Sequence, residues 1–371
     1  MTFDLILIGY GNVARRFVSL LDEQRAPLAR QYGVSVRVVG IATRRHGQEF
    51  SARGVDAERV RLAPSPLRGF GGTRKPDLTY GSRDTLEFLR DAVTKSRVAA
   101  RQRRLVVVET TTLDVDRGEP AASYIRATLA GGAHVITANK GPVACAYRAL
   151  RRAAERADRR WLFEGAVMDG VPIFNLARET MPAVKILGFR GVVNSTTNFM
   201  LTAMEQGQAF DDALREMQAM GVAEADASLD VDGWDAAAKT AALANVLLDA
   251  RLTPADVERE GISRETGARA VKAREAGRRL KLVARASREG RRVTARVSPE
   301  ELAGDDLLAE LEGQQNALIL FTDLLGEIAI VQRGGGLTQT AYALLSDLLT
   351  IAREVTPSAA TRRSRPQARR G

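Results

Sequence analysis

The chain opens with a near-continuous apolar run at residues 3–8 (FDLILI), the pattern of a parallel strand buried on both faces. Comparable runs follow at 34–42 (VSVRVVGIA), 105–109 (LVVVE), 134–137 (HVIT) and 186–193 (ILGFRGVV), and residues 161–172 (WLFEGAVMDGVP) read as a strand leading into a glycine-containing turn. Helical periodicity occupies the intervals at 12–21, 85–101 and 120–131, while 60–80 is rich in Pro and Gly and reads as a mobile loop. Strands alternating with helices predict an α/β fold with a parallel sheet.

The pattern changes in the second half. After 186–193 come Asn194, Ser195, Thr196, Thr197 and Asn198, a run suited to capping the free N–H groups of a helix start. A helix over 210–220 stops at Gly221. Five acids then fall within twelve residues, at Glu224, Asp226, Asp230, Asp232 and Asp235, and Lys239 opens a helix that is almost wholly apolar from 236 to 248. Asp235 and Lys239 are spaced i and i+4, so they share one helix face. An exposed pair of that kind would contribute only a few tenths of a kcal/mol. This helix is too apolar to be exposed, and a buried lysine needs a carboxylate.

Composition narrows the picture. A chain of 371 residues, 45% hydrophobic, is long enough for two domains on a prior of ~150 residues each. No run approaches the roughly 18 apolar residues of a membrane span, and the single cysteine, Cys145, excludes an intramolecular disulfide, so the expectation is a soluble, cytoplasmic protein with no membrane partner. The net charge of +10 would ordinarily suggest nucleic acid. Half of the excess, however, sits in residues 357–371, which hold five arginines and no acid and read as a disordered basic tail, making nucleic acid an unlikely partner. Only seven of the 55 basic residues are lysines, so lysines inside motifs draw attention as groups able to exchange protons near neutrality.

Candidate chemistry begins at the first strand, which delivers Gly9, Gly11, Asn12, Val13 and Ala14 as G-x-G-x-x-A directly into a helix. The first glycine permits the tight turn, the second admits a pyrophosphate, and the helix N-terminus faces the anion; this is the fingerprint of a Rossmann-type dinucleotide-binding domain. Where an NAD site places an acid after the second strand, this chain has Thr43, Arg44 and Arg45. Two guanidiniums suit a 2′-phosphate, so NADP is expected over NAD, a solvated arginine pair being the other reading. The strand ends carrying Thr110, Thr111 and Lys140 fall on the carboxyl edge of the sheet, where such folds bind ligands. There Lys140 either reaches the nicotinamide and substrate or is a surface lysine at a helix entry.

Several of these segments together resemble one family. They are the G-x-G-x-x-A turn, TANKGP at 137–142, NSTTNF at 194–199, GVAEAD through DVDGWDAAAK at 221–239, Lys281-Leu282, and Asn316-Ala317 through Gly334-Gly335-Gly336 and Thr340-Ala341. The chain resembles the homoserine dehydrogenases, over nearly its whole length to about residue 350. The resemblance implies NAD(P)H-dependent reduction of aspartate 4-semialdehyde to homoserine by a homodimer. It casts Lys239 as a proton-transferring lysine of lowered pKa, with Lys140 and Asp235 as its partners, Glu224 as the acid holding the substrate ammonium, and Asn194 and Thr196 at the substrate. Gly336 joins the cofactor site, and Glu164 with Val167 resembles a monovalent-cation site for Na+ or K+. Ser195, Ala227 and the segment 167–170 depart from the family pattern. The implied organisation is a dinucleotide-binding domain over 1–148, completed by C-terminal helices within 318–355, and an α+β substrate-binding and dimerisation domain over 149–317. Too few residues follow Gly336 for the regulatory domain appended to some members. A related dehydrogenase of another small amino or hydroxy acid, or an inactive NADP-binding regulatory protein, are the alternatives.

Overall fold

The computed structural model describes residues 1–43, 47–55, 84–99, 104–220 and 227–355. Six strands form the first sheet: β1 (Thr2–Ile8), β2 (Ser35–Thr43), β3 (Gly47–Phe50), β4 (Leu105–Glu109), β5 (His134–Thr137) and β6 (Trp161–Leu162). Their order is β3-β2-β1-β4-β5-β6, all parallel except β3, which runs antiparallel to β2. Helices α1 (Asn12–Glu23), α2 (Arg25–Tyr32), α3 (Thr85–Ala99), α4 (Ala121–Ala130) and α5 (Lys140–Ala157) connect them. The unbroken apolar run of β1 has a simple cause. Phe3, Leu5 and Leu7 pack with Phe17, Val18 and Leu21 of α1 on one face, while Ile6 and Ile8 pack with Phe88, Leu89 and Val93 of α3 on the other. A strand covered on both sides cannot alternate with polar residues.

The second sheet has the order β12-β11-β7-β9-β10-β8, built from β7 (Ile186–Val192), the two-residue β8 (Glu258–Arg259), β9 (Arg278–Glu289), β10 (Arg292–Ala303), β11 (Asn316–Thr322) and β12 (Glu327–Gln332). Its pairings are antiparallel apart from β8 on β10. Here period two is clean. Leu280, Leu282, Leu318 and Leu320 face the main core with α6 (Ser195–Met204), α7 (Phe210–Ala219) and α8 (Trp234–Leu247), and Val283, Ala317 and Ile319 face a smaller cluster containing Leu308 and Leu311. Helix α9 (Arg264–Glu275) adds Ala270 and Ala273 to the main core. The helix α8 is lined with alanines that are almost fully buried, and Asn194 caps α6 by accepting from the Thr197 N–H at 2.8 Å.

One expectation needs correction, and another holds in part. Residues 318–332 are not helical: NALILFT, buried on both faces, and the alternating EIAIVQ pair as the hairpin β11–β12 of the second sheet, so only α10 (Leu337–Val355) returns to the first. That helix sets Leu344, Leu348 and Ile351 against α1 and β1. Of residues 161–172, read as a strand leading into a glycine-containing turn, the strand is only the two-residue β6, while the turn is present where Met168 (φ 49°), Asp169 (φ 45°) and Gly170 (φ 87°) take left-handed conformations. The long hairpin β9–β10 had no counterpart in the sequence reading, since its outward positions are filled with Arg and Glu. The loop at 60–80 and the tail at 357–371 lie outside the described residues.

Lys281, on β9, is fully buried and donates to the Leu311 carbonyl and to Asn198 Oδ1 (3.2 Å), with no ion-pair partner among the described residues. Burial, and then Arg279, lower its pKa to about 8 despite Glu205 and Glu312. The unfolded chain binds this proton up to a pKa of about 10.4. Lys281 therefore contributes stability that is fully present above that value and is lost as the pH falls through 8. Urea unfolding between pH 7.5 and 10 should show stability rising with pH more steeply in the wild type than in Lys281→Met; parallel curves would show that Lys281 is not the source.

Candidate active site

The glycine turn between β1 and α1 is shaped for close approach. Gly9 adopts φ 89° and donates its N–H to the Ala42 carbonyl at 2.9 Å, and only glycine fits because a Cβ would stand 2.7 Å from the Thr110 carbonyl oxygen. Gly11 faces open space, and α1 starts at Asn12 and Val13 with neither a side-chain cap nor an acid in its first turn. Uncapped N–H groups at the end of a strand–turn–helix unit suit a pyrophosphate. The Thr110 hydroxyl closes the turn on the Gly9 carbonyl (3.2 Å), and Thr111 is engaged by Glu109. Gly336 starts α10, its carbonyl accepting from the Thr340 N–H at 3.1 Å, and Arg16 of α1 donates to Thr338 at 3.0 Å. The Thr43 hydroxyl donates to the Gly47 carbonyl (3.3 Å); Arg44 and Arg45 lie outside the described residues.

Elsewhere, side chains from three elements meet at one carboxylate. Asp235, in the first turn of α8, has Lys239 Nζ at 2.9 Å on Oδ2 and Lys140 Nζ at 3.1 Å on Oδ1. Lys140 is the first residue of α5, placed there by the Asn139 cap at the end of β5, so it comes from the nucleotide-binding half of the chain. Asn194 donates to Asp235 at 2.8 Å and to Asp230 at 2.7 Å, and Lys239 gives a further bond to the Val193 carbonyl at 2.8 Å. With its oxygen on Thr197, the Asn194 amide is fully used, which makes it the frame of the acid cluster. Thr196 is buried in the first turn of α6. Asp230, one of the five acids of the segment, belongs to the cluster through its bond from Asn194. Glu224 lies outside the described residues.

The electrostatics correct one expectation. Burial disfavours the Lys239 ammonium, but the Asp235 carboxylate, with Asp169 and Asp230, outweighs it, so the pKa of Lys239 is raised and not lowered. Burial would likewise raise Asp235, yet Lys140 and Lys239 hold it well below the usual carboxylate range. Asp230 is pushed up, by burial first and then by Asp235. Lys239 therefore remains an ammonium and Asp235 a carboxylate at neutral pH.

The Glu164 segment follows a different logic. Glu164 is buried, and its oxygens accept the N–H groups of Phe174 (2.8 Å) and Asn175 (2.7 Å), while its own N–H donates to Asp347 at 2.9 Å. Burial raises its pKa to about 7 against those two bonds. Val167 is extended and buried between two short turns. Among the described residues no group of three or more His, Cys, Asp or Glu is arranged to hold a metal ion, and no helix is long and apolar enough to cross a membrane.

Comparison with known proteins follows the same outline. The family model "Homoserine dehydrogenase, NAD binding domain" matches residues 9–164, and the model "Homoserine dehydrogenase" matches 172–349. The NAD(+)-dependent homoserine dehydrogenase of Pseudomonas canavaninivorans is 35% identical over 95% of this chain and 97% of its own length, and the homoserine dehydrogenase of Sulfurisphaera tokodaii is 33% identical over 94% and 99%. Among solved structures, a putative homoserine dehydrogenase from Archaeoglobus fulgidus superposes with TM-score 0.78 at 29% identity, covering 94% of this chain and 99% of that one. One from Thiobacillus denitrificans gives TM-score 0.77 at 29% identity, covering 99% and 76%. With its two halves each matched, and with relatives aligned end to end, the chain belongs to the homoserine dehydrogenase family of NAD(P)-dependent oxidoreductases acting on a CH–OH group.

Proposed function

We propose that this chain reduces L-aspartate 4-semialdehyde to L-homoserine and runs the reverse oxidation, a step of amino-acid biosynthesis. The observation that carries the reading is the contact of Lys239 and Lys140 with one carboxylate, in a chain that also carries a glycine turn fit for a dinucleotide. When bound, the reduced nicotinamide supplies the hydride for the aldehyde carbon. The aldehyde oxygen then gains negative charge and needs a proton. Lys239, held as an ammonium, is the donor, and water returns its proton after the product leaves. Lys140 adds a second ammonium near the developing charge. Asp235 fixes both amines and offsets one of their two charges. The substrate ammonium is assigned to Glu224, and its carboxylate to the first turn of α6 at Ser195 and Thr196, where the helix N-terminus favours an anion.

The cofactor is read as NADP, on the lack of an acid after β2 and the pair Arg44–Arg45, although one relative is named for NAD(+). A monovalent cation at Glu164 and Val167 rests on the resemblance alone. With an N–H group on each oxygen the Glu164 carboxylate is engaged, so no step is derived through a cation. The same resemblance supports a cytoplasmic homodimer, which sedimentation would register as twice the 40.2 kDa chain mass.

Following NADPH oxidation with aspartate semialdehyde, Lys239→Ala should lose about 10²–10⁴-fold in kcat, the usual worth of a positioned acid. Wild-type turnover in that variant, or none in the wild type, would overturn the assignment. Because the proton is held up to a raised pKa, reduction should stay fast to alkaline pH and fall only as the pH passes that value. In Asp235→Asn burial is no longer outweighed, so the alkaline limb should move to lower pH; an unmoved limb would separate Asp235 from the donor. Changing Arg44 and Arg45 to Ala should raise KM for NADPH by roughly tenfold or more, one lost charged hydrogen bond being about 1.5–3 kcal/mol. An equal change with NADH would reject the 2′-phosphate reading.

A further inference from the structure

Glu109 is an acid at the end of an otherwise apolar strand, and its side chain is entirely buried (0% exposed). A carboxylate in that setting persists only when its oxygens are hydrogen-bonded. Oε1 accepts the Thr111 N–H at 2.7 Å and the Thr111 hydroxyl, and Oε2 accepts the Thr137 hydroxyl at 2.6 Å. Glu109 and Thr137 face each other in the β4–β5 register, so one carboxylate ties two strand ends where the chain leaves the sheet. The bonds continue outward. Having given its proton to Glu109, the Thr137 oxygen accepts the Asn139 N–H at 2.9 Å. The Asn139 amide donates to the carbonyls of Thr111 (3.2 Å) and Thr112 (3.4 Å), and its oxygen caps α5 on the Gly141 N–H at 3.0 Å. The next residue after Asn139 is Lys140, whose ammonium meets Asp235 at 3.1 Å.

We propose that Glu109 is a positioning residue for the reaction: through Thr137 and Asn139 it sets the direction in which Lys140 leaves the first sheet towards Asp235. The inference rests on the reading of Lys140 as part of the reacting cluster. An acceptor on both oxygens is what the chain of bonds requires. A glutamine there presents an NH₂ group on one side. Turned to Thr137 it leaves that hydroxyl without an acceptor, and turned to Thr111 it opposes the backbone N–H. In either orientation the anchor of Asn139 loosens while the apolar packing of β4 is kept.

The test is a double-mutant cycle on the full-length protein, with kcat, NADPH Kd by fluorescence and Tm measured for Glu109→Gln, Thr137→Val and Thr137→Ser, alone and combined with Lys140→Ala. Glu109→Gln and Thr137→Val should each lose about 10–100-fold in kcat, the scale of a sub-ångström misplacement of a reacting group, with NADPH Kd close to wild type and Tm lowered by roughly several degrees, since each leaves a buried polar group unpaired. Thr137→Ser, which keeps the hydroxyl, should retain wild-type kcat. In the Lys140→Ala background both losses should shrink to about threefold or less, because contacting parts of one network are not additive. The same fold-loss in both backgrounds, or wild-type kcat in Thr137→Val, would overturn the proposal. Wild-type turnover in Lys140→Ala would instead reject the reading of Lys140, and the proposal with it. Should Glu109→Gln fail to fold, the Val and Ser variants at 137 decide the matter alone.

Discussion

The carboxylate of Asp235 is the point at which the two halves of this molecule are joined electrostatically. Two ammonium groups and one amide converge on it, from α8, from the start of α5 and from the cap of α6. Each of the three charges would be costly if buried alone, and removing one partner of a buried pair typically destabilises by about 3–5 kcal/mol. The cluster is tolerated because the charges are mutually compensating and the spare bonding positions are filled, by the Val193 carbonyl on Lys239 and by Asn194 on the acids. One consequence is that Lys140 and Lys239 are held near each other despite like charge. A site that must stabilise an oxyanion needs such a concentration of positive charge, and Asp235 makes it stable before substrate arrives.

Much of this was legible in the sequence because it depends on local rules. Burial on both faces makes strands β1 and β4 continuous apolar runs, and Asn139 and Asn194 announce helix starts by their capping chemistry. The spacing of Asp235 and Lys239 put both on one face, and the apolar helix around them implied burial. The direction of the Lys239 pKa shift was not legible. Burial and neighbouring acids act on it with opposite signs; Asp235 gives the largest opposing contribution, and Asp169 and Asp230, which add to it, are brought near only by the fold. The hairpin over 316–332 follows a related limit. Short apolar runs such as ALILF are ambiguous between helix and strand, and the pairing that decides between them, β11 on β7, joins residues more than a hundred positions apart.

Glu109 shows the same limit from the other side. As the last letter of LVVVE it looks like the polar end of a strand turning to solvent, yet the fold closes over it. Its partners Thr111 and Thr137 belong to two different strand ends, and only parallel pairing of β4 with β5 places them around one carboxylate. Composition gives no hint of this, because a threonine after a strand is as often a surface residue. A buried acid whose partners are all uncharged N–H and O–H groups differs from Asp235, which is balanced by ammonium groups. The first kind fixes backbone direction, whereas the second kind fixes charge.

These two carboxylates stand at the two ends of one short path. From Glu109 through Thr137 and Asn139 the bonds run along backbone and cap to Lys140, and from Lys140 they cross to Asp235 and α8. The nucleotide turn meets the same path, since Thr110 lies beside Glu109 and its carbonyl sets the close limit on Gly9. The limit on Gly9 is set by the Thr110 backbone, whereas the path from Glu109 runs through side-chain bonds of Thr137 and Asn139. Loosening the side-chain path leaves the backbone limit in place, so the glycine turn and the start of α5 share neighbouring strand ends and can still be altered separately.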